Sequence, residues 1–564
     1  MIDNLYLKIF KILIKKILPG LFLTLVLYSC SYGAVIKAQV NFSPNNISTW
    51  FQNTGTFNQD IRTTNTPGFE WPKGSGKFAL FTSGLCIGAY VNDNLRLGNA
   101  SFNGEYAPGY VFDSSGHKLF RTDSRFRIYS VKAGDTRLNS IDYAEWKNMV
   151  PFGAPYNDIN HNGYFDEFID KPGVEDAEQT IFVCLTDADA SNHTSSEGFS
   201  GGTNPLNAEV RLTAWGYDYP GLRDIQYVKW TVINKNDSAW NKAYFSIVTD
   251  NDLGDAHDDY VGHDTILQLG YTYNADNLDG DGYGNSYGWN PPAAGQSLIR
   301  SVILRNVNSI DTLKATSGIY FNNTGSAPVV CEMDPSSFYL QAYNYMRGLK
   351  RDGTPWLNPL TSPYTITKFL WTGNPETGEG WTEFSGAIRN CGGEVTGPVE
   401  VSNPRNSRFI ISCGSDFLNV NPGDTQKIVM SQMIARGSNN LNSVTKLKEL
   451  ASLSRRFYYL IEDDTEVTYV EPPYIPVNYS LKQNYPNPFN PITTIRYEMK
   501  KLWKVKIQIY DTRGELIKTL VNEEKPQGVY EIKFDATNLP SGVYFIKMTS
   551  GGGFEDSKKM VVIK

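Results

Sequence analysis

Val505-Lys506-Ile507-Gln508-Ile509-Tyr510-Asp511 alternates apolar with polar side chains, and the turn-forming run Asp511-Thr512-Arg513-Gly514 closes it. Side chains of an extended chain point to opposite faces in turn, so this pattern predicts a strand with one buried face. The same reading extends over the last 86 residues, Tyr479 to Lys564. Val543, Phe545 and Met548 fall among Tyr544, Lys547 and Thr549, and Pro540-Ser541-Gly542 marks the turn before them. Pro486, Pro488 and Pro491 lack amide donors, which suits a loop or a sheet edge and excludes a central strand. A small antiparallel sandwich of about seven strands fits this length.

The segment opens with Asn484-Tyr485-Pro486-Asn487-Pro488-Phe489-Asn490-Pro491 and continues through Thr494-Ile495-Arg496-Tyr497-Glu498. Arg513-Gly514-Glu515, Leu539-Pro540-Ser541-Gly542-Val543-Tyr544-Phe545 and a terminal Lys559-Met560-Val561-Val562-Ile563-Lys564 complete it. Over its whole length it resembles the C-terminal sorting domain of the type IX secretion system, which sends proteins across the outer membrane of certain Gram-negative bacteria. Met499-Lys500-Lys501 stands where that family usually has Leu-Pro. The resemblance implies an immunoglobulin-like β-sandwich read by the type IX outer-membrane translocon and its sorting machinery. It also implies a tail removed after export, and a protein that is secreted or attached to the outer cell surface.

At the other end, Lys8, Lys11, Lys15 and Lys16 precede an apolar run from Ile17 to Tyr28. That run is short for a bilayer span and right for a secretory signal core, so residues 1–38 are expected to be a signal peptide cleaved after Ala38. Leu27-Tyr28-Ser29-Cys30 offers a competing lipoprotein box, with Cys30 acylated. No other stretch is apolar for long enough to be a membrane helix, so the mature chain is expected to have no transmembrane segment. The expected order is then a β-rich body at 39–470, with two subdomains, a proline-rich linker at 471–478 and the sorting domain at 479–564.

The tail holds 14 basic and 9 acidic residues, leaving 38 basic against 50 acidic before it. An acidic body repels phosphate backbones, which argues against nucleic acid as a partner, and attracts divalent cations. Aromatic residues at 13% and 49 glycines, with strand-like runs broken by Asn, Asp, Gly and Pro, predict an all-β, multi-domain β-sandwich body. Strands are expected at 126–131, 228–234, 244–249, 301–304, 408–412 and 427–433. One helix is expected between Asn440 and Leu460, from the near-helical spacing of Leu441, Val444, Leu447, Leu450 and Phe457. Cys86, Cys184, Cys331, Cys391 and Cys413 are too spread for a disulfide framework; buried thiols are the expectation, with one or two bridges open. Trp230-Thr231-Val232-Ile233-Asn234, Thr249-Asp250-Asn251-Asp252-Leu253-Gly254 and Asp258-Asp259-Tyr260-Val261-Gly262 are similar to phrases in large, uncharacterised type IX cargo proteins. That similarity implies no activity.

Two oxygen-rich runs share one internal spacing. Asp158, Asn160, Asn162, Tyr164 and Asp166 occupy positions one, three, five, seven and nine around Gly163; Asn277, Asp279, Asp281, Tyr283 and Asn285 repeat the template around Gly282. Calcium takes six to eight hard oxygens, and alternate residues of a tight loop can supply them. The bidentate Glu of an EF-hand is missing, since position twelve is Ile169 or Gly288, so Asp170, Glu167 or a distant carboxylate must complete the shell. An Asx-rich turn that binds nothing has the same composition. Asp250, Asp252, Asp255, Asp258, Asp259 and Asp264 form a third acidic group; His257 and His263 lie within it, but oxygen donors favour calcium over a transition metal.

Catalytic patterns fail. Gly198-Phe199-Ser200-Gly201-Gly202 has the letters of a nucleophile elbow without the strand before it or the helix after it, and no HExxH occurs. Glu175, Asp176 and Glu178 are ordinary in so acidic a chain. The expected function is a non-catalytic, calcium-stabilised adhesion, structural or binding protein with a surface glycan or matrix ligand. The alternative is a secreted hydrolase, a glycoside hydrolase or peptidase, whose site is built from residues far apart in sequence.

Overall fold

The computed structural model describes residues 38–62, 66–102, 104–114, 117–121, 124–194, 199, 202–280, 286–305, 310–335, 338–461, 479–500, 503–525 and 528–564. The expected signal segment up to residue 37 and the proline-rich linker lie outside the described residues. The chain divides into two compact units, one ending at residue 467 and one beginning at residue 468.

The first unit is built on β1 (Thr82–Val91), β2 (Asn94–Gly98), β3 (Ala107–Pro108), β4 (Tyr129–Lys132), β5 (Gln179–Thr186), β6 (Ala208–Gly216) and β7 (Ile225–Asn234). It continues with β8 (Asn241–Asp250), β9 (Asp259–Asp264), β10 (Leu269–Asn274), β11 (Ala293–Arg300), β12 (Ser317–Asn322), β13 (Ser407–Gly414), β14 (Thr425–Ala435) and the helix α1 (Asn440–Ile461). A nine-stranded sheet runs β4-β5-β6-β7-β14-β11-β10-β9, with β3 also paired to β5, and a five-stranded sheet runs β12-β13-β8-β1-β2. Val228, Trp230 and Val232 of β7 and Met430 of β14 enter one core with Leu85 and Ile87 of β1, Ile247 of β8 and Ile410 of β13. The sheets therefore face each other as a sandwich.

On its other face the nine-stranded sheet carries α1. Tyr227, Val429 and Met433 pack there against Val444, Leu447, Ala451 and Tyr458 of the helix. Away from the helix, β5 is buried along its whole length because Ile181, Val183 and Leu185 enter the inter-sheet core while Phe182 and Cys184 pack with Trp146 and Met149, so neither face needs to be polar. The helical stripe is shifted from its expected centre: Leu441, Leu450 and Phe457 are only partly buried, and Ala451 and Tyr458 complete the contact. The strand expected at 301–304 is also displaced, because Ser301 and Val302 separate β11 from a short strand Ile303–Arg305.

The second unit contains β15 (Ser480–Leu481), β16 (Ile492–Met499), β17 (Trp503–Tyr510), β18 (Leu516–Lys525), β19 (Gly528–Asp535), β20 (Gly542–Ser550) and β21 (Phe554–Val562). A sheet β15-β16-β19 and a sheet β18-β17-β20-β21 enclose one core, in which Ile495, Tyr497 and Phe534 meet Val505, Ile507, Ile509, Ile546 and Met548. Phasing in β20 differs from the sequence reading. Ile509 lies opposite Ile546 and Ile507 opposite Met548, so Tyr544, Ile546 and Met548 turn inward while Phe545 is 38% exposed. Directly paired residues share a face, and the neighbouring strand decides which one.

Cys331 and Cys391 form a disulfide, one of the bridges the sequence leaves open, and Cys86, Cys184 and Cys413 are free and buried. Spacing gave no clue to the pair, because 60 residues separate its members.

Candidate functional site

The first oxygen-rich loop is the tip of a short antiparallel ladder in which Tyr156 pairs with Pro172 and Asn157 with Lys171. His161 and Gly163 have left-handed φ angles of 54° and 80°, and this bend turns the alternate side chains inward. Asp158 accepts Asn162 N at 3.2 Å and Gly163 N at 2.7 Å. The amides of Asn160 and Asn162 each lie 2.7 Å from Asp166 Oδ2. Asp170, which is buried, accepts Ile159 N at 3.0 Å and Asp166 N at 2.6 Å. Asp158, Asn160, Asn162, Asp166 and Asp170 thus gather at one loop. The ring of Tyr164 is 77% exposed, so its carbonyl is the oxygen it can offer. Glu167 turns away to Arg137 and Lys147, each at 2.8 Å, and the ion pair with Lys147 holds its carboxyl below the usual range.

The third acidic group is the crossover between the two body sheets, leaving β8 at Asp250 and entering β9 at Asp259. Asp250 pairs with the buried Arg408 at 3.4 Å. Asp259 is 1% exposed, and its Oδ2 accepts Leu253 N at 3.0 Å while Oδ1 has no hydrogen-bond partner. Asp279, from the second oxygen-rich run, reaches into the same turn: its Oδ1 accepts Asp255 N at 2.9 Å. Gly280 N in turn donates to Asp258 Oδ2 at 3.0 Å. A Cβ on Gly254 would sit 1.9 Å from Asp279 Oδ2, so only glycine lets the carboxylate approach this backbone. Burial pushes Asp252 and Asp279 up to about 6 and raises Asp258 and Asp259 as well. The charges of Asp258, Asp279 and Asp252 add to the effect at Asp259.

Of the second run's candidate ligands, Asn277 and Asp279 are among the described residues. Asn277 works at the start of α1, its Oδ1 accepting Asn440 N at 2.9 Å and its Nδ2 donating to Asn290 Oδ1 at 2.9 Å. Asp281, Tyr283 and Asn285 lie outside the described residues. Of the two histidines, His257 is exposed with Nδ1 3.0 Å from Asp255 Oδ1. His263 is buried with Nδ1 3.0 Å from the Leu370 carbonyl, and burial lowers it to about 4. Among the described residues, Cys331, Asp352 and Cys391 are the one set of three His, Cys, Asp or Glu ligand atoms within 4.8 Å of one another. Their sulfurs are joined, so that set holds no metal, and the carboxylates of the acidic turns stand farther apart than this.

Sequence reading missed the meeting of Asp279 with the turn 252–259, because the two runs looked like independent loops. It also missed a buried ionic cluster in which Glu332 takes Lys350 Nζ at 2.7 Å and Arg389 NH1 at 2.6 Å. No local pattern marks either. Ser200 of the glycine-rich run lies outside the described residues.

The second unit is a secretion sorting domain: residues 483–564 match the family described as secretion system C-terminal sorting domain. The protein is a type IX secretion cargo, exported to the medium or the outer cell surface, and its sorting domain is what meets the type IX machinery. No helix among the described residues is long and apolar enough to cross a membrane. No curated relative matches the chain in sequence. Among solved structures it is similar to a polysaccharide lyase at 8% identity and a TM-score of 0.17, over 63% of this chain and 34% of that one. It is also similar to dimeric latent PorU from Porphyromonas gingivalis at 10% identity and a TM-score of 0.14, over 62% of this chain and 26% of that one. The chain therefore spans about a third or less of either structure, and overlaps this loose carry no argument about activity.

Proposed function

We propose that this cargo acts outside the cell as a non-catalytic binding or structural protein whose body is stabilised by calcium. The observation that supports the reading is the loop 158–170. Asp158, Asn160, Asn162, Asp166 and Asp170 offer side-chain oxygens and Tyr164 a carbonyl, six donors of the hard type calcium takes. Beside them Tyr164, Phe168 and Ile169 are exposed, with Arg137 stacked 4.2 Å over Phe168. An aromatic and guanidinium surface of this kind suits a glycan or matrix ligand.

The test is thermal unfolding of the full chain in chelator, calcium and magnesium. Calcium at a hundredfold excess over its Kd raises stability by about 2.7 kcal/mol if only the folded state binds it. Magnesium, which resists dehydration and wants a strict octahedron, restores less. The double variant D158A/N162A loses the first loop's share of the gain. An unchanged melting curve in chelator, with no calcium found by elemental analysis, overturns the reading.

A further inference from the structure

The geometry points to a second divalent-cation site, most suited to calcium, built from Asp252, Asp255, Asp258 and Asp259 of the sheet-to-sheet crossover together with Asp279. It is independent of the loop 158–170 and differs in kind. Its donors come from two segments held together by Asp255 N on Asp279 Oδ1 at 2.9 Å and Gly280 N on Asp258 Oδ2 at 3.0 Å.

The observation that turns an acidic cluster into a site is Asp259. A carboxylate 1% exposed, with one oxygen bonded to Leu253 N and the other bonded to nothing, is costly to bury unless a cation faces it. The groups that face it are further carboxylates, Asp258, Asp279 and Asp252, which worsen the cost. Asp252 Oδ1 and the amide oxygen of Asn251 in the same turn are also buried and without partners. Arg408, whose charge acts on Asp252, is engaged with Asp250 at 3.4 Å and Asp334 at 3.2 Å. Asp279 is brought into this turn by Gly254, whose missing Cβ makes room for its carboxylate, and the charges of Asp258, Asp279 and Asp252 act together on Asp259. Binding would draw their oxygens by side-chain rotation to the 2.3–2.6 Å of a calcium shell. The ion would then tie the last residues of β8, in the five-stranded sheet, to the first of β9, at the edge of the nine-stranded one.

The experiment is calcium stoichiometry by equilibrium dialysis on the full chain, with near-UV circular dichroism as the check on folding. D259N keeps the oxygen that accepts Leu253 N and removes the charge. The expected result is that D259N binds one calcium fewer than wild type, and that D252N weakens the same site. D158A/N162A, by contrast, leaves this site filled. Without calcium, D259N should melt above wild type, because the amide is neutral without having to take up a proton in a site that disfavours the ionised carboxyl; with calcium the order reverses. A purely structural Asp259 would give neither the lost equivalent nor the reversal. Folded D259N and D252N that both bind as much calcium as wild type overturn the proposal. Failure of the loop 158–170 alone would show separately, as a D158A/N162A variant that loses nothing.

Discussion

Nζ of Lys350 lies 2.7 Å from Oε1 of Glu332, and neither side chain reaches solvent. Arg389 NH1 holds the other carboxylate oxygen at 2.6 Å, Tyr320 donates to the same oxygen, and Lys350 sits 4.6 Å over the ring of Trp356. Burial pulls the Lys350 amine down and Glu332 opposes it. Removing the shared anion leaves two buried cations with only neutral partners, the Asn390 carbonyl for Lys350 and the Tyr320 hydroxyl for Arg389. E332Q is therefore expected to cost about 3–5 kcal/mol, read as a fall in the urea midpoint. K350M leaves Glu332 paired with Arg389 and should cost less. Equal losses in the two variants would mean that Arg389 alone does not satisfy the carboxylate.

The Cys331–Cys391 disulfide closes around that cluster, since Glu332 follows one cysteine and Arg389 and Asn390 precede the other. An exported chain folds in an oxidising compartment, where such a bond forms and persists. Over a separation of 60 residues the chain-entropy model gives about 4 kcal/mol of stabilisation. The variant C331A/C391A should lose a large part of that. Reducing agent should lower the melting temperature of wild type and leave that of the double variant unchanged.

The sorting domain was legible because its information is local. Val505, Ile507 and Ile509 alternate as a half-buried strand must, and all three are fully buried. The one slip, at Val543 and Phe545, came from reading a strand without the neighbour that sets its phase. In the body the strands at 228–234, 408–412 and 427–433 were also visible, but the sheet order was not. β7 pairs with β14 across nearly 200 residues, and nothing in either strand names the other. The same limit governs the site. Asp158 to Asp166 could be read as a loop, whereas the approach of Asp279 to Asp255 depends on how β9 and β10 pair. Asn277, which fits the calcium template by letter, also serves the first turn of α1, its Oδ1 accepting Asn440 N.

Two compact units imply that one can be removed without unfolding the other. Deleting Tyr479 to Lys564 takes away the whole of the three- and four-stranded sandwich and none of the core that holds β1 to β14. The truncated body is expected to fold, with unchanged far-UV circular dichroism per body residue, and to stay in the periplasm. Full-length and truncated protein in equal amounts in the culture medium would show that export does not need the tail.

Stability should depend on pH with opposite slopes in the presence and absence of calcium. Burial raises Asp252 and Asp279 to about 6, whereas an unfolded aspartate titrates near 3.9. Between those values the folded chain binds protons that the unfolded chain does not, so without a cation stability is highest below the unfolded pKa and is lost as pH rises through about 6. A bound calcium reverses the order, because it needs the same carboxylates ionised and protons compete with it. In chelator the melting temperature should therefore rise from pH 7 toward pH 5 as far as these two groups govern it, and with saturating calcium it should fall. D252N removes one of the two titrations and should flatten both curves. Parallel curves in the two conditions would mean that no cation reads these carboxylates.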